Sequence, residues 1–161
     1  RARNHARSRR GSSLTLGKIQ MPVTIEPFAD HRPAIEHDVM HFEMGLAAVL
    51  PDDYRAFLLR FNGGSPEPSG FRGGAEVLSG FFGFCQKHHC LLCNYYVHRQ
   101  ILPQGVIPIG DDPAGNLICL SVSKQTIGRV YFWDHEVGDA SGLSDLAESF
   151  TAFLESLCEP S

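Results

Sequence analysis

The densest set of reactive side chains lies between positions 85 and 98. It reads Cys85-Gln86-Lys87-His88-His89-Cys90-Leu91-Leu92-Cys93, with His98 beyond. Thiolate and imidazole are zinc ligands. On a helix, Cys85, His89 and Cys93 would recur every four residues on one face, with Cys90 and Cys93 as an i, i+3 pair. One helix cannot easily surround a tetrahedral ion, and structural zinc sites usually add a second pair from a distant stretch. Cys119 falls in an apolar run and Cys158 at the end of the chain. The expected reading is therefore small core cysteines with surface histidines, and no metal. A cysteine nucleophile paired with His88, His89 or His135 needs only proximity in the fold. None of the five cysteines sits in a recognisable nucleophile signature.

Two carboxylate groups are the other candidates. Asp111 and Asp112 could coordinate calcium or act as a pair, but the alternating acids of an EF-hand loop are missing, and acids before Pro113 read as a turn. Asp134-His135-Glu136 follows an aromatic run. In a strand, Asp134 and Glu136 would share one side and His135 the other, which splits the group as a catalytic cluster. The same acids beside Trp133 suit a polar rim around an aromatic anchor. No P-loop, dinucleotide-binding glycine pattern, Gly-x-Ser-x-Gly or His-Glu-x-x-His is present, so no cofactor is expected.

The elements that position these residues centre on 107–136. Val106 to Ile109, Leu117 to Val122 and Arg129 to Trp133 are apolar, β-branched or aromatic runs separated by turn chemistry. The connections are too short for crossover helices, so the three strands pair antiparallel. Runs two and three are apolar at nearly every position, which predicts cover on both faces.

Before them, Ile35, Val39, Phe42 and Leu46 recur at helical spacing after Pro33, with Asp30 or His31 near the N-cap. Pro51, Asp52 and Asp53 open a second helix. Its stripe is Tyr54, Phe57, Leu58 and Phe61, and Asn62-Gly63-Gly64 ends it. Residues 65–74 read as Pro/Gly-rich loop, 76–84 as weakly strand-like and 85–102 as helix. Leu143, Leu146, Phe150, Phe153, Leu154 and Leu157 read as one apolar stripe of a last helix, capped by Ser141 or Ser144.

At 161 residues the chain suits one domain with a sizeable core. No apolar run approaches a membrane span. Residues 1–20 hold six of the fourteen basic groups and no acid. Residues 21–161 therefore carry eight basic and eighteen acidic groups, a net −10. That body is a poor partner for nucleic acid and a better one for a basic protein. The arm lacks a secretory h-region. Its composition fits a transit peptide, a stray extension upstream of Met21 or a flexible arm, and it is read as a disordered arm or non-native extension, with 21–161 as the domain. An odd cysteine count without a secretion signal points to a reducing, cytoplasmic setting.

An ordered set of motifs carries a resemblance. Leu50-Pro51-Asp52-Asp53-Tyr54, Phe57-Leu58 and Asn62-Gly63-Gly64 come first. Ile107-Pro108-Ile109-Gly110-Asp111-Asp112, Gly115-Asn116 and Val130-Tyr131-Phe132-Trp133-Asp134-His135 follow, and Ser149-Phe150-Thr151-Ala152-Phe153-Leu154 closes the set. Across about residues 33–158 these resemble the SUKH superfamily, in its yeast cell-wall-assembly-regulator type. The spacer between Gly45 and Leu50 is about two residues longer than the family pattern, and the Cys/His segment 85–98 is foreign to it. The resemblance implies an α+β fold: a mainly antiparallel twisted sheet flanked by N-terminal helices and a C-terminal helix. It also implies a non-enzymatic role, as an immunity protein that binds and neutralises a toxin or as a regulator working through protein contacts. The competing expectation is a zinc- or cysteine-dependent enzyme using 85–98 and His135. The expected partner surface is Trp133, Asp134 and Glu136, with Asp111, Asp112 and Arg72 beside them. The expected partner is a protein, such as a basic toxin domain, and neither nucleic acid nor membrane.

Overall fold

The computed structural model describes residues 23–30, 32–84, 87 and 89–161. The basic arm, with Cys85 and His88, lies outside them. The centre is a five-stranded antiparallel sheet in the order β5-β6-β7-β8-β9, built from β5 (Gly80–Phe81), β6 (Val106–Asp111), β7 (Leu117–Ser121), β8 (Val130–Trp133) and β9 (Leu143–Ala147). The three strands expected from 106–133 are thus present, antiparallel and consecutive. Every residue of β7 is buried, as its unbroken apolar run requires.

Register assigns the two faces. Ile118 pairs with Phe132 and Leu120 with Val130, so these four side chains share one face. Leu117, Cys119, Tyr131 and Trp133 share the other. The Phe132 face carries an aromatic cluster contributed by α2 (Asp52–Phe61) and α4 (Phe150–Glu155). Phe150 lies 5.1 Å from Tyr54, 5.0 Å from Phe57 and 5.4 Å from Phe81, all edge-on, the geometry that aromatic quadrupoles favour. The Trp133 face meets α3 (Leu91–His98), whose His98 ring stands edge-on to the indole at 5.9 Å. Two short ribbons complete the fold: β1 (Thr24–Glu26) with β2 (Ser65–Glu67), and β3 (Gly70–Phe71) with β4 (Glu76–Val77). Among the described residues no helix is long and apolar enough to cross a membrane.

α2 follows its sequence signals closely. Pro51 is its N-cap, and Asn62 closes it in the left-handed region at φ 51°. α1 (Glu36–Leu46) begins three residues after Pro33. The Asp38 carboxylate accepts the Ile35 N–H at 3.0 Å and is itself held by Arg32 at 2.8 and 2.9 Å. That leaves Pro33 in the approach rather than in the first turn.

Three expectations are corrected. Residues 65–74 are not plain loop but contain β2, β3 and a 3-10 turn at Arg72–Gly74. The helix expected over 85–102 is only α3. His89 has φ +60°, and Gly83 bridges to Cys90 through Gly83 N–H to the His89 carbonyl (3.0 Å) and Leu91 N–H to the Gly83 carbonyl (2.8 Å). That pairing holds the approach out of the helical conformation and leaves Cys90 as N-cap. The apolar stripe from Leu143 is split. Residues 143–147 form β9 on the open edge of β8, and the helix starts only after Ser149, whose Oγ accepts the Ala152 N–H at 3.0 Å. Ser141 and Ser144 cap nothing there.

Candidate functional site

Gly80, Asp111, Leu117, Trp133 and Leu143 are successive register partners across the sheet. They form its last row at one end. From this row emerge the 112–116 turn and the 134–142 loop, so the topology brings Asp111, Asp112, Trp133, Asp134 and Glu136 to one rim. Arg72 joins it from the Phe132 face. Its guanidinium lies 4.3 Å over the Phe132 ring and donates to Ser144 Oγ at 2.6 Å.

Within the rim the side chains divide by burial. Trp133 is 4 % exposed, and its indole N–H donates to the Asp139 carbonyl at 2.8 Å. It is therefore a strut beneath the loop, a core position rather than an exposed anchor. A large ring at the end of a strand gains more under α3 than in water. Asp112 is 6 % exposed and also turns inward. One of its oxygens accepts the Asn116 backbone N–H and the other the Asn116 side-chain amide, both at 2.8 Å. This locks the turn that Asp112-Pro113-Ala114-Gly115 begins.

Asn116 extends that network. With its amide nitrogen committed to Asp112, its oxygen accepts the His135 N–H at 3.1 Å and faces His135 Nδ1 at 2.8 Å. An amide oxygen only accepts, so Nδ1 is the donor in this contact, on an exposed ring.

Asp111 is half-buried, and its Oδ1 has no hydrogen-bond partner among the described residues. His89 Nε2 is 3.6 Å from that oxygen, close enough for charge attraction and too far for a hydrogen bond. Burial lifts the carboxyl above its ordinary range, His89 opposes this, and Asp112 adds to the rise. The His89 ring stacks on Phe28 at 4.2 Å. His89 is thus tied into the rim rather than into a helix-borne metal face. Among the described residues no three His, Cys, Asp or Glu side chains group to hold a metal.

What remains exposed is the 135–141 loop, with Glu136 and Asp139, the half-buried Asp134 at its start, and no Lys or Arg. Asp134 Oδ1 accepts the Glu136 N–H at 2.9 Å. Asp139 accepts Ser141 Oγ at 2.6 Å and the Ser141 N–H at 2.7 Å, and these bonds hold its carboxyl below the usual range. Val137, at the tip, is 48 % exposed. Asp139 and Val137 escape the sequence reading, and Asn116 enters it only as part of the Gly115-Asn116 motif. The Asp139-x-Ser141 spacing of an Asx-type turn was the available signal.

Residues 33–156 match the SMI1/KNR4 family (SUKH-1). The chain belongs to that family. It is also similar to the SPbeta prophage-derived uncharacterized protein YokK of Bacillus subtilis (strain 168). The two are 27 % identical over 139 residues, covering 73 % of this chain and 71 % of the relative. The SUKH-1 match spans the whole rim, from Arg72 through Asp139, and also the Cys/His segment 85–98.

Proposed function

We propose that this SUKH-1 domain is a non-catalytic, cytoplasmic protein-binding module that neutralises a cognate toxin domain, and that the toxin domain presents a basic surface. The observation that carries the reading is the rim. Two exposed carboxylates, Glu136 and Asp139, and the half-buried Asp134 stand on one short loop without a cation, and the buried Trp133–Asp139 hydrogen bond ties that loop to a rigid sheet. Loops fixed to a scaffold are where binding residues concentrate, and a rim already ordered loses little entropy on binding. The net −10 of residues 21–161 steers a basic partner toward it, with a rate that falls as salt rises. Family membership and the prophage-derived name of the relative support the same reading. The contact set is Asp134, Glu136, Asp111 and Arg72, with Trp133 and Asp112 as the scaffold beneath them.

The experiment pairs this chain with the toxin encoded beside its gene. Co-expression should restore growth, and the purified domains should bind. Asp134→Ala and Glu136→Ala should each weaken binding by roughly 1 kcal/mol, about fivefold in Kd, with the melting temperature unchanged. If neither substitution moves Kd, the contact surface is elsewhere. Turnover of any substrate by the purified chain that His135→Ala abolishes would replace the reading with an enzymatic one.

A further inference from the structure

The sequence His37-Asp38-Val39-Met40-His41 places two imidazoles one turn apart on α1. Residues four apart lie on the same helix face. Both histidines are exposed, and their rings face each other with centroids 4.2 Å apart and planes 35° apart. Among the described residues neither ring makes a hydrogen bond, so all four ring nitrogens are uncommitted. The pair borders a groove of about 510 Å³ between α1 and α3, walled by Phe42, Phe84, Leu92 and Tyr96.

We propose that His37 and His41 form a two-histidine chelate for a divalent transition cation of the zinc, nickel or copper class. A cation about 2.05 Å from one nitrogen of each ring lies about 3.2 Å from each ring centre. At ligand angles of about 90–110° the centres would then stand about 4.5–5.2 Å apart. The observed 4.2 Å is within about 1 Å of that, a side-chain rotation on an exposed helix. Imidazole donors select these ions over magnesium and calcium, which prefer oxygen. Asp38, between the two, does not serve as a third ligand. Arg32 holds both its oxygens at 2.8 and 2.9 Å, and that ion pair leaves the site close to neutral. The remaining coordination positions fall to water or to a donor brought by another molecule, on the side of the groove.

The test is calorimetric titration of the full chain, carrying no affinity tag, with Ni²⁺, and an electron paramagnetic resonance spectrum with one equivalent of Cu²⁺. The expected result is one cation per chain and a copper spectrum with two nitrogen ligands. His37→Ala and His41→Ala should each weaken binding by at least about tenfold, because one imidazole loses the chelate advantage. Helix content should be unchanged, since alanine suits an exposed helical position. The double substitution His37→Ala with Met40→His keeps the histidine count but leaves the two imidazoles on adjacent residues, about 100° apart around the helix, where they do not face each other. It should bind as weakly as His37→Ala alone. The proposal is overturned by an intact chain that binds no stoichiometric cation, or by unchanged binding when His37 and His41 are both alanine. Native affinity in the relocated variant would overturn it equally.

Discussion

Tyr54 allows a prediction whose sign runs against intuition. Its side chain is fully buried in the aromatic cluster, and its hydroxyl has no hydrogen-bond partner among the described residues. Burial alone drives its ionisation far above the ordinary range, so the group is a neutral, desolvated hydroxyl. A buried polar group left without a partner costs about 1–3 kcal/mol. Tyr54→Phe removes that cost and keeps the ring against Phe57 and Phe150, at 6.1 and 5.1 Å. The void left by one oxygen, about 10 Å³, takes back only about 0.2 kcal/mol. Tyr54→Phe should therefore stabilise the domain by about 1–2.5 kcal/mol, and at about 2–4 °C per kcal/mol for a chain of this size the melting temperature should rise by roughly 2–10 °C. Urea unfolding reads this directly as a higher midpoint at unchanged slope. Tyr54→Ala, which deletes the ring, should instead lose about 3–5 kcal/mol. A Tyr54→Phe protein less stable than the parent by more than about 0.5 kcal/mol would show that the hydroxyl is satisfied, and the reasoning would fail. A stabilised Tyr54→Phe protein would mean that the tyrosine of the Leu50-Pro51-Asp52-Asp53-Tyr54 motif is not kept for the stability of the monomer.

Three shorter predictions follow from other sites. A Cβ on Gly83 would overlap the Asn62 carbonyl and press on the Oδ1 that accepts the Phe84 N–H, so Gly83→Ala should cost about 2–4 kcal/mol by chemical denaturation. The Asp111 carboxyl is raised by burial, so the folded chain holds its proton more tightly than the unfolded chain. That contribution is complete below the unfolded value and lost as pH rises through the folded one. Asp111→Asn cannot ionise, so its melting temperature should gain on the parent's from about pH 4 to about pH 7. A difference that stays flat or shrinks would mean that the His89 attraction outweighs burial. Cys119 is fully buried, and burial pushes its thiol up. It should stay unmodified by an aromatic disulfide reagent in native protein and react only with unfolding, as peptide mass mapping would show.

The parts of this fold that local physics dictates were readable in advance. In α2, the stripe Tyr54, Phe57, Leu58 and Phe61, the proline before it and Asn62-Gly63 after it all act within one or two turns. The same holds for β6, β7 and β8. Short connections leave antiparallel pairing as the only route, and an unbroken apolar run demands cover on both faces. The family motifs likewise ran through these elements. Residues 143–147 were decided differently. Leu143 and Leu146 fit a helical period as well as an extended one. The choice went to a strand because β8 offers an unpaired edge, supplied by residues ten or more positions earlier. His89 left the helix because its carbonyl accepts the Gly83 N–H and Phe28, some sixty residues away, stacks on its ring. At the rim, sequence placed six candidate residues without saying which ones face water. Burial divided them. Trp133 went under α3 and Asp112 into its own turn, while Glu136 stayed outside and Asp134 partly so. Exposure depends on what packs above a residue, and here the packing comes from α3 and from the 134–142 loop folding back on Trp133. Residue type and spacing carry the chemistry a side chain can do. Which chemistry is left free to act is set by contacts distant in the chain.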